Sequence, residues 1–327
     1  MAALAVGHSA QRGMAVISAL LVATVVAVIA AGMIARQTQV TRGVESESQR
    51  VRGAWLSNGV LEWTRQALWQ QRLREPMTRL DQDWAQPLRG VRLGSESGVF
   101  DGRISDEQSK FNLRNLVLDG QLDTLESAVF ERLCAELGVP LAQANRIVQR
   151  VIEAYPRRLQ PASQSTGAGT EFDSGRLTSP DADSRPLPAT RPMLRHFDDL
   201  AGLPGIDPAA LERLRPFVTV LPAITWVNGN TTTAQVLAAR VPGMSVAQAQ
   251  ALIAERDRGQ WFINSGDYLN RLRVPQMSTE QLRLGITSEW FLLRGQSTVE
   301  QRQFSVQALF YRGELNRPRV IWSRVGA

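Results

Sequence analysis

The sequence predicts an α+β protein with a long amino-terminal transmembrane helix, antiparallel strands and a helical middle. Three observations lead to this fold class. An uncharged apolar run occupies residues 14–35, close to the amino terminus. Helical periodicity with helix caps recurs through the middle of the chain. Alternation of apolar and polar side chains, which is typical of strands, appears before and after that helical part.

The apolar run of residues 14–35 has the length of a membrane span. A helix of this length rises about 33 Å, which matches a bilayer hydrocarbon core of about 30 Å. A secretory signal peptide has a shorter apolar region, of about 7 to 15 residues. The flanking residues, Arg12 before the run and Arg36 and Arg42 after it, do not decide its orientation. The run therefore predicts a single-pass membrane anchor.

The helix is predicted to continue beyond the membrane through residues 36–75. Valine, alanine and leucine recur there at steps of three, four and seven, as they do on one face of a helix. Pro76 is the first proline of the chain, and proline does not continue a helix. Residues 76–110 then hold short alternating segments separated by glycine, which predicts the first strands of a sheet.

Residues 111–275 are predicted to be helical in two parts, 111–222 and 223–275. The first part contains two apolar helical segments, which stop at Gly138 and before Pro156. Two later passages share one design, in which an apolar helix ends at Pro-Gly and a capped helix follows. The Pro-Gly pairs are Pro204-Gly205 and Pro242-Gly243, and the caps are Asp207 and Ser245.

The helical hairpins around these Pro-Gly turns resemble helix-hairpin-helix, or sterile-alpha-motif-like, repeats. Such hairpins often bind DNA phosphates through backbone amides. The carboxylate of Asp207 lies in the first of these turns and would repel a phosphate, so packing within the protein is favoured over DNA binding. A membrane-anchored DNA-binding protein that uses these hairpins is the alternative function.

The closing residues, 276–327, return to alternation and predict three antiparallel strands. One face of this pattern carries Phe304, Val306, Ala308 and Phe310. The aromatic residues of the same region are expected to pack the sheet against the long helix rather than to bind a ligand. They are Trp290, Phe291, Tyr311 and Trp322.

Composition excludes several classes of function. The formal net charge is +6, but the basic residues are scattered among acids, which favours a mixed-charge surface over nucleic-acid binding. Cys134 is the only cysteine, so neither an intramolecular disulfide nor a thiolate zinc site can form, and its apolar neighbours at helical spacing indicate a core residue. The chain has two histidines, His8 and His196, and no paired nucleophile and base or phosphate loop. We expect no enzyme activity.

The amino-terminal text resembles a prepilin peptidase site. Arg12-Gly13 stands directly before the apolar run, and the resemblance implies cleavage between Gly13 and Met14, with residues 1–13 as the leader. Most pilins and pseudopilins carry glutamate at the fifth mature position, where it neutralises a neighbouring amine. Ser18 occupies that position here. The absence of this glutamate resembles one type of minor pseudopilin, the K-type subunit.

Two internal passages are also similar to K-type pseudopilins. The stretch "SKFNLRNLV" and the stretch "TWVNGNTTTAQVLAA" resemble their asparagine-containing turns. The asparagines of the first stretch are expected to hold the turn into the helical part by side-chain to backbone hydrogen bonds. The matching residues are Phe111, Asn112, Leu113 and Asn115 in the first, and Asn228, Asn230 and Thr231 in the second. The chain is identified as a member of the general secretion pathway protein K family, the minor pseudopilins of bacterial type II secretion.

The resemblance implies a pseudopilin fold, in which the transmembrane helix packs on an antiparallel sheet that carries an inserted all-α domain. It implies a single-pass protein of the bacterial inner membrane with its bulk in the periplasm. The implied function is to form the tip of the pseudopilus, to initiate its assembly and to support export of folded proteins across the outer membrane. The implied partners are the minor pseudopilins I and J, the prepilin peptidase, the inner-membrane assembly platform and membrane lipid, with no nucleic acid.

Members of this family commonly hold calcium in an acidic, glycine-rich loop. Here the corresponding loop departs from the family pattern and has no EF-hand spacing. Its candidate oxygen ligands are Glu171, Asp173, Asp181 and Asp183. Calcium is the expected cofactor if these carboxylates act together, and a solvated acidic loop is the alternative.

Overall fold

The computed structural model describes residues 10–92, 98–156, 187–299 and 302–326. The chain divides into two compact units, Met1–Gly59 and Val60–Ala327. Helix α1 (Ala10–Arg74) contains residues of both units.

The described part of the first unit belongs to α1 and includes an apolar stretch. Residues Val16–Arg42 have a mean hydropathy of 2.6, and none of this stretch is buried by other parts of the protein. The hydroxyls of Thr24 and Thr38 each donate to the carbonyl four residues earlier, at 2.8 Å. These two polar groups are therefore satisfied within the helix, as a hydrocarbon environment requires. The predicted apolar amino-terminal helix is confirmed.

The second unit contains a five-stranded antiparallel sheet with the strand order β1-β2-β9-β10-β11. The remaining strands are short and form three pairs of two residues each. In chain order the strands are β1 (Leu88–Arg92), β2 (Val99–Asp106), β3 (Phe111–Asn112), β4 (Val117–Leu118), β5 (Gln121–Leu122), β6 (Val218–Thr219), β7 (Val227–Asn228), β8 (Leu284–Gly285), β9 (Trp290–Val299), β10 (Arg302–Tyr311) and β11 (Arg319–Gly326).

One face of the sheet packs against the last turns of α1. Val60, Leu61 and Leu68 of the helix are buried in one cluster with the inward side chains of β2, β9 and β10. The period of two along β10 places Val306, Ala308 and Phe310 in this cluster, as the alternation in the sequence indicates. Trp84 adds an edge-to-face contact with Phe291, at 5.1 Å between ring centroids.

The opposite face of the sheet holds a second, smaller cluster. Trp290 is buried there with Leu221, and Tyr311 and Trp322 pack against it. The expectation that these aromatic residues pack against the long helix is correct only for Phe291. Successive strand residues point to opposite faces, so Trp290 and Phe291 cannot share one.

A pair of glycines lets one aromatic ring lie flat on the sheet. Gly102 of β2 is directly opposite Gly295 of β9. A Cβ atom would stand 2.7 Å from Phe100 Cζ at Gly102 and 2.4 Å from the same atom at Gly295. The Phe100 ring therefore covers both glycines and fills the space that their side chains would need.

Residues 107–289 connect β2 to β9, which are neighbours in the sheet, and they contain the remaining helices. Buried apolar side chains from these helices form the largest core of the protein, which includes Cys134. Burial raises the pKa of the Cys134 thiol to about 12, so this cysteine is an unreactive core residue. The helices are α2 (Thr124–Glu136), α3 (Leu141–Ile152), α4 (Pro208–Leu214), α5 (Ala234–Arg240), α6 (Val246–Asp257), α7 (Ser265–Arg271) and α8 (Thr279–Leu282).

Local sequence signals place most of these helix ends. Asp207 caps α4 by accepting from the Ala209 amide, and Ser245 caps α6 in a reciprocal capping box with Gln248. The predicted helix before Pro204-Gly205 is wrong. A single 3-10 turn, Phe197–Leu200, takes its place because the following Gly202 adopts a φ of +79° and ends any helical run.

Candidate functional site

A buried polar junction joins the sheet to the helical region. Its centre is Asp106, the last residue of β2. The Asp106 carboxylate accepts hydrogen bonds from the Gln108 amide at 2.8 Å, the Ser288 hydroxyl at 2.6 Å and the Thr231 hydroxyl at 2.6 Å. Ser288 lies two residues before β9, so this carboxylate ties together both ends of the segment that connects β2 to β9 and a point in its middle.

Asn228 is the second member of the junction and is completely buried. Its amide donates to the Thr78 carbonyl at 3.1 Å, the Ser288 hydroxyl at 2.8 Å and the Asp106 carboxylate at 3.3 Å. Its carbonyl accepts from the Asn230 amide at 2.9 Å, which fixes the local turn. One side chain therefore satisfies groups from three separate parts of the chain.

Arg312 closes the junction from the loop after β10. Its guanidinium donates to the Thr78 hydroxyl and to the Ser288 carbonyl, both at 2.8 Å, and lies 4.4 Å from the centroid of the Phe291 ring. Burial lowers the pKa of Arg312 to about 10, against the opposing effect of the Asp106 charge. We use the name polar junction for Thr78, Asp106, Asn228, Thr231, Ser288 and Arg312.

The electrostatics of the junction indicate a structural role. Burial raises the pKa of Asp106, although its hydrogen bonds from Ser288 and Thr231 and the charge of Arg312 favour the carboxylate. All six side chains of the junction are buried. The arrangement can hold chain segments in fixed positions, but it offers no solvent-accessible nucleophile or base.

The junction lies where α1 ends. Thr78 follows the last residue of α1, Arg74, by four positions, and its amide donates to the Ile286 carbonyl at 2.9 Å. Arg312 also reaches back to the Leu68 carbonyl within α1, at 3.5 Å. The helical region is thereby fastened to the carboxyl-terminal end of the long helix.

The asparagines of the first sequence signature form a second buried network. The Asn112 amide donates to the Ala223 carbonyl at 2.8 Å. Asn115 donates to the Thr225 carbonyl at 2.7 Å and accepts from the Thr225 amide at 3.0 Å. The sequence predicts that these asparagines hold a turn, and the structure shows that they also bind a segment about 110 positions away.

The second signature behaves similarly. Asn230 donates to the Phe262 carbonyl and accepts from the Phe262 amide, both at 2.9 Å, and so copies a strand pairing with one side chain. Thr231 binds Asp106, as described above. The polar side chains of both signatures are therefore structural hydrogen-bonding groups, and Phe111 and Leu113 of the first signature belong to the apolar core.

Sequence reasoning missed three buried arginines, which are Arg240, Arg256 and Arg312. Arg240 forms an ion pair with the buried Glu126 at 2.5 Å, and Arg256 donates to the Gly229 and Thr232 carbonyls at 3.0 and 2.8 Å. One signal was available for Arg240, because it follows the apolar residues 236–239 directly and precedes Val241.

The processing residues predicted from the sequence lie within α1, which includes Gly13, Met14 and Ser18. The four carboxylates proposed for calcium, Glu171, Asp173, Asp181 and Asp183, lie outside the described residues. Within the residues that are described, no group of three or more His, Cys, Asp or Glu side chains is placed to hold a metal ion.

Comparison with known proteins decides the family. Residues 109–223 match the family model for the first domain of type II secretion system protein K, and residues 227–287 match a second model for the same protein. The chain belongs to the type II secretion system protein K family. It is therefore a minor pseudopilin. The two matched ranges are separated by residues 224–226, and Asn112 and Asn115 bind Ala223 and Thr225 at this boundary.

Relatives and a solved structure agree with this assignment. Type II secretion system protein K from Pseudomonas aeruginosa is 28% identical, over 97% of this chain and 93% of the relative. The protein of the same name from Pectobacterium carotovorum is also 28% identical, over 93% of each chain. A chain in the crystal structure of the GspK-GspI-GspJ complex of enterotoxigenic Escherichia coli has a similar fold. Its TM-score is 0.64 at 21% identity, over 87% of this chain and 99% of that one.

These matches support the coarse predictions. The mixed fold of helices and strands, the apolar amino-terminal helix and the assignment to type II secretion are confirmed. The family is one of structural pseudopilins rather than of known enzymes. The DNA-binding alternative receives no support from the matches. The first hairpin turn, at Pro204-Gly205, is also covered by Arg146. One guanidinium nitrogen of Arg146 lies 1.0 Å from the position that a Cβ of Gly205 would take.

Proposed function

We propose that this chain forms the tip of the type II pseudopilus, initiates its assembly and supports export of folded proteins across the outer membrane. The observation that carries the proposal is the polar junction, which fastens the helical region to the carboxyl-terminal end of α1. The bulk of this helical region would leave no room for a further subunit to stack above the chain, so the chain suits the end of a filament rather than its middle.

Ser18 supports the same role. A repeated subunit needs a carboxylate near its amino terminus to neutralise the amine of its neighbour, because an unpaired charge is costly in an apolar bundle. Serine supplies no such charge. A subunit with Ser18 is therefore poorly suited to repetition along the filament.

Subunit counting tests the tip role. Quantitative mass spectrometry of intact pseudopili assembled to different mean lengths should find a single copy of this chain per filament, independent of length. A copy number that grows in proportion to length would contradict the proposal. The Ser18→Glu variant should enter the filament body more often, whereas Ser18→Ala, its matched control, should not.

The proposal includes processing by the prepilin peptidase between Gly13 and Met14. Intact-mass analysis of the chain extracted from membranes should show loss of residues 1–13 only in cells that contain the peptidase. Insertion in the bacterial inner membrane with the bulk of the chain in the periplasm follows from this processing, because the leader is cut on the cytoplasmic side. A chain of full mass in both kinds of cell would overturn this step.

The proposed partners are the minor pseudopilins I and J, with the inner-membrane assembly platform and membrane lipid. The family and the solved GspK-GspI-GspJ complex support the first two. Co-purification of the detergent-extracted chain with each partner tests them, and failure with both would count against the assembly role.

Calcium binding by Glu171, Asp173, Asp181 and Asp183 is also proposed, on the chemistry of their oxygen ligands. Isothermal titration should detect binding at millimolar calcium or below, and the fourfold replacement of these carboxylates by amides should abolish it. Equal heats for both proteins would dispose of the site.

A further inference from the structure

A row of arginines crosses the face of the sheet that is turned away from α1. Arg103 of β2 is directly opposite Arg294 of β9, and Arg294 is directly opposite Gln307 of β10. Gln307 is in turn opposite Arg324 of β11. The three arginines and Gln307 therefore form one cross-strand line, which we call the arginine row.

The arginine row borders a shallow cavity. Arg294, Gln307 and Arg324 line it together with Arg195, and Leu292, Leu309 and Trp322 also contribute to its lining. All three arginines of the row are exposed, so the surface is open to another molecule. Aromatic and apolar side chains beside cationic groups are typical of a protein-binding surface.

The carboxylates near this row are already engaged. Glu107 accepts from Lys110 and Thr219, both at 2.7 Å, and Asp198 pairs with Arg215 at 2.5 Å.

The other two acids in the area bind backbone amides. Asp199 accepts from the amides of Arg195 and His196, and Asp101 accepts from the Gly90 amide. Glu107 and Asp199 do feel the charges of Arg294 and Arg324 respectively, but at longer range. Within the described part of the chain, no carboxylate lies within 4.0 Å of the guanidinium groups of the row.

Like charges directly opposite each other destabilise a sheet. Arg103 and Arg294 form such a pair, and among the described residues no acid forms an ion pair with either of them. An arrangement that costs stability and stays exposed is best accounted for by an external anion.

We infer that the arginine row is a docking surface for a carboxylate-rich segment of a partner protein. The row spans three strand spacings, or about 14 Å, which an extended segment covers with about five residues. Acidic side chains at alternate positions of such a segment then face the row, and guanidinium groups bind carboxylates in a bidentate manner. This binding surface is separate from the polar junction and does not depend on the position of the chain in the pseudopilus.

The test uses the full chain in detergent and a fluorescent hexaglutamate peptide, with hexaglutamine as the uncharged probe. The variant Arg103→Gln, Arg294→Gln, Arg324→Gln should bind hexaglutamate about tenfold more weakly. The matched control Arg89→Gln, Arg258→Gln, Arg317→Gln removes the same charge from exposed arginines elsewhere and should bind as the parent does. The affinity of the parent should fall as salt is raised.

A stability measurement separates docking from a purely structural role. Because the row is self-repelling, its triple variant should melt at the same temperature as the parent or about 1 °C higher. Equal weakening of peptide binding by both triple variants would overturn the inference, since it would reflect net charge alone. A melting temperature lowered by several degrees in the row variant, or binding of phosphate or anionic vesicles but not of hexaglutamate, would also overturn it.

Discussion

Replacing Asp106 by alanine should destabilise the second unit more than any surface substitution. The carboxylate accepts from three partners at 2.6 to 2.8 Å in a buried position. The hydroxyls of Ser288 and Thr231 can rotate towards other acceptors, but the Gln108 amide cannot. Arg312 would also lose the negative charge that offsets its burial.

The magnitude follows from these two losses. An unsatisfied buried amide costs about 1 to 3 kcal/mol, and removal of the counter-charge of a buried cation brings the total towards 3 to 5 kcal/mol. We therefore expect about 4 kcal/mol for Asp106→Ala, which lowers the melting temperature by about 8 to 12 °C. Asp106→Asn should cost less, because the amide can still accept from the Gln108 amide.

Thermal unfolding followed by near-ultraviolet circular dichroism measures this shift. The matched control is Asp101→Ala, an exposed aspartate of the same strand, which should change stability by about 0.5 kcal/mol or slightly more. If the melting temperature of Asp106→Ala lies within about 2 °C of that of the control, the polar junction does not hold the sheet and the helical region together.

Three further changes have defined outcomes. In a denaturant titration, Asn115→Ala should lower the free energy of unfolding by about 2 to 4 kcal/mol, because it leaves the Thr225 amide and carbonyl without these partners. Asn115→Asp keeps the acceptor and removes the donor, so it should cost only part of this free energy. Gly295→Ala should cost about 1 to 3 kcal/mol, since its Cβ would lie 2.4 Å from the Phe100 ring and 2.5 Å from the Asp101 carbonyl oxygen, and the double variant with Phe100→Ala should cost less than the sum of the two single variants. Burial is the largest single influence on the pKa of Glu107 and raises it, but Lys110, the Thr219 hydroxyl and the charge of Arg294 together outweigh burial, so the net pKa is lowered. Stability from Glu107 is therefore present above its unfolded pKa and is lost as pH falls through the lower folded value, and a titration in which Glu107→Gln shows the same acid loss would refute this.

Local sequence signals predict much of the fold. The length of the apolar run and the absence of proline before Pro76 predict the helix that the structure shows at Ala10–Arg74. Capping by Asp207 and Ser245 and the alternation through β10 also appear as predicted. These features depend on neighbours a few residues apart, so a linear pattern contains them.

The candidate site could be predicted only in part. The signature asparagines Asn112, Asn115 and Asn228 are visible in the sequence, and the expectation that the first two make side-chain hydrogen bonds to the backbone is confirmed. Their partners could not be named, because each lies between 110 and 150 positions away. The face on which Trp290 and Trp322 pack also needed the strand register.

The sequence by itself determined the membrane helix and the order of strand and helix, because these follow from composition and from short-range periodicity, and its motifs indicated the family by resemblance. Only the tertiary structure decided which charged groups are buried and which groups pair with them, as for Arg312 at the polar junction and Arg240 with Glu126. It also placed Arg103, Arg294 and Arg324 in one line. The physical reason is that burial and cross-strand register bring together residues that are distant in the chain, and no local pattern records those distances.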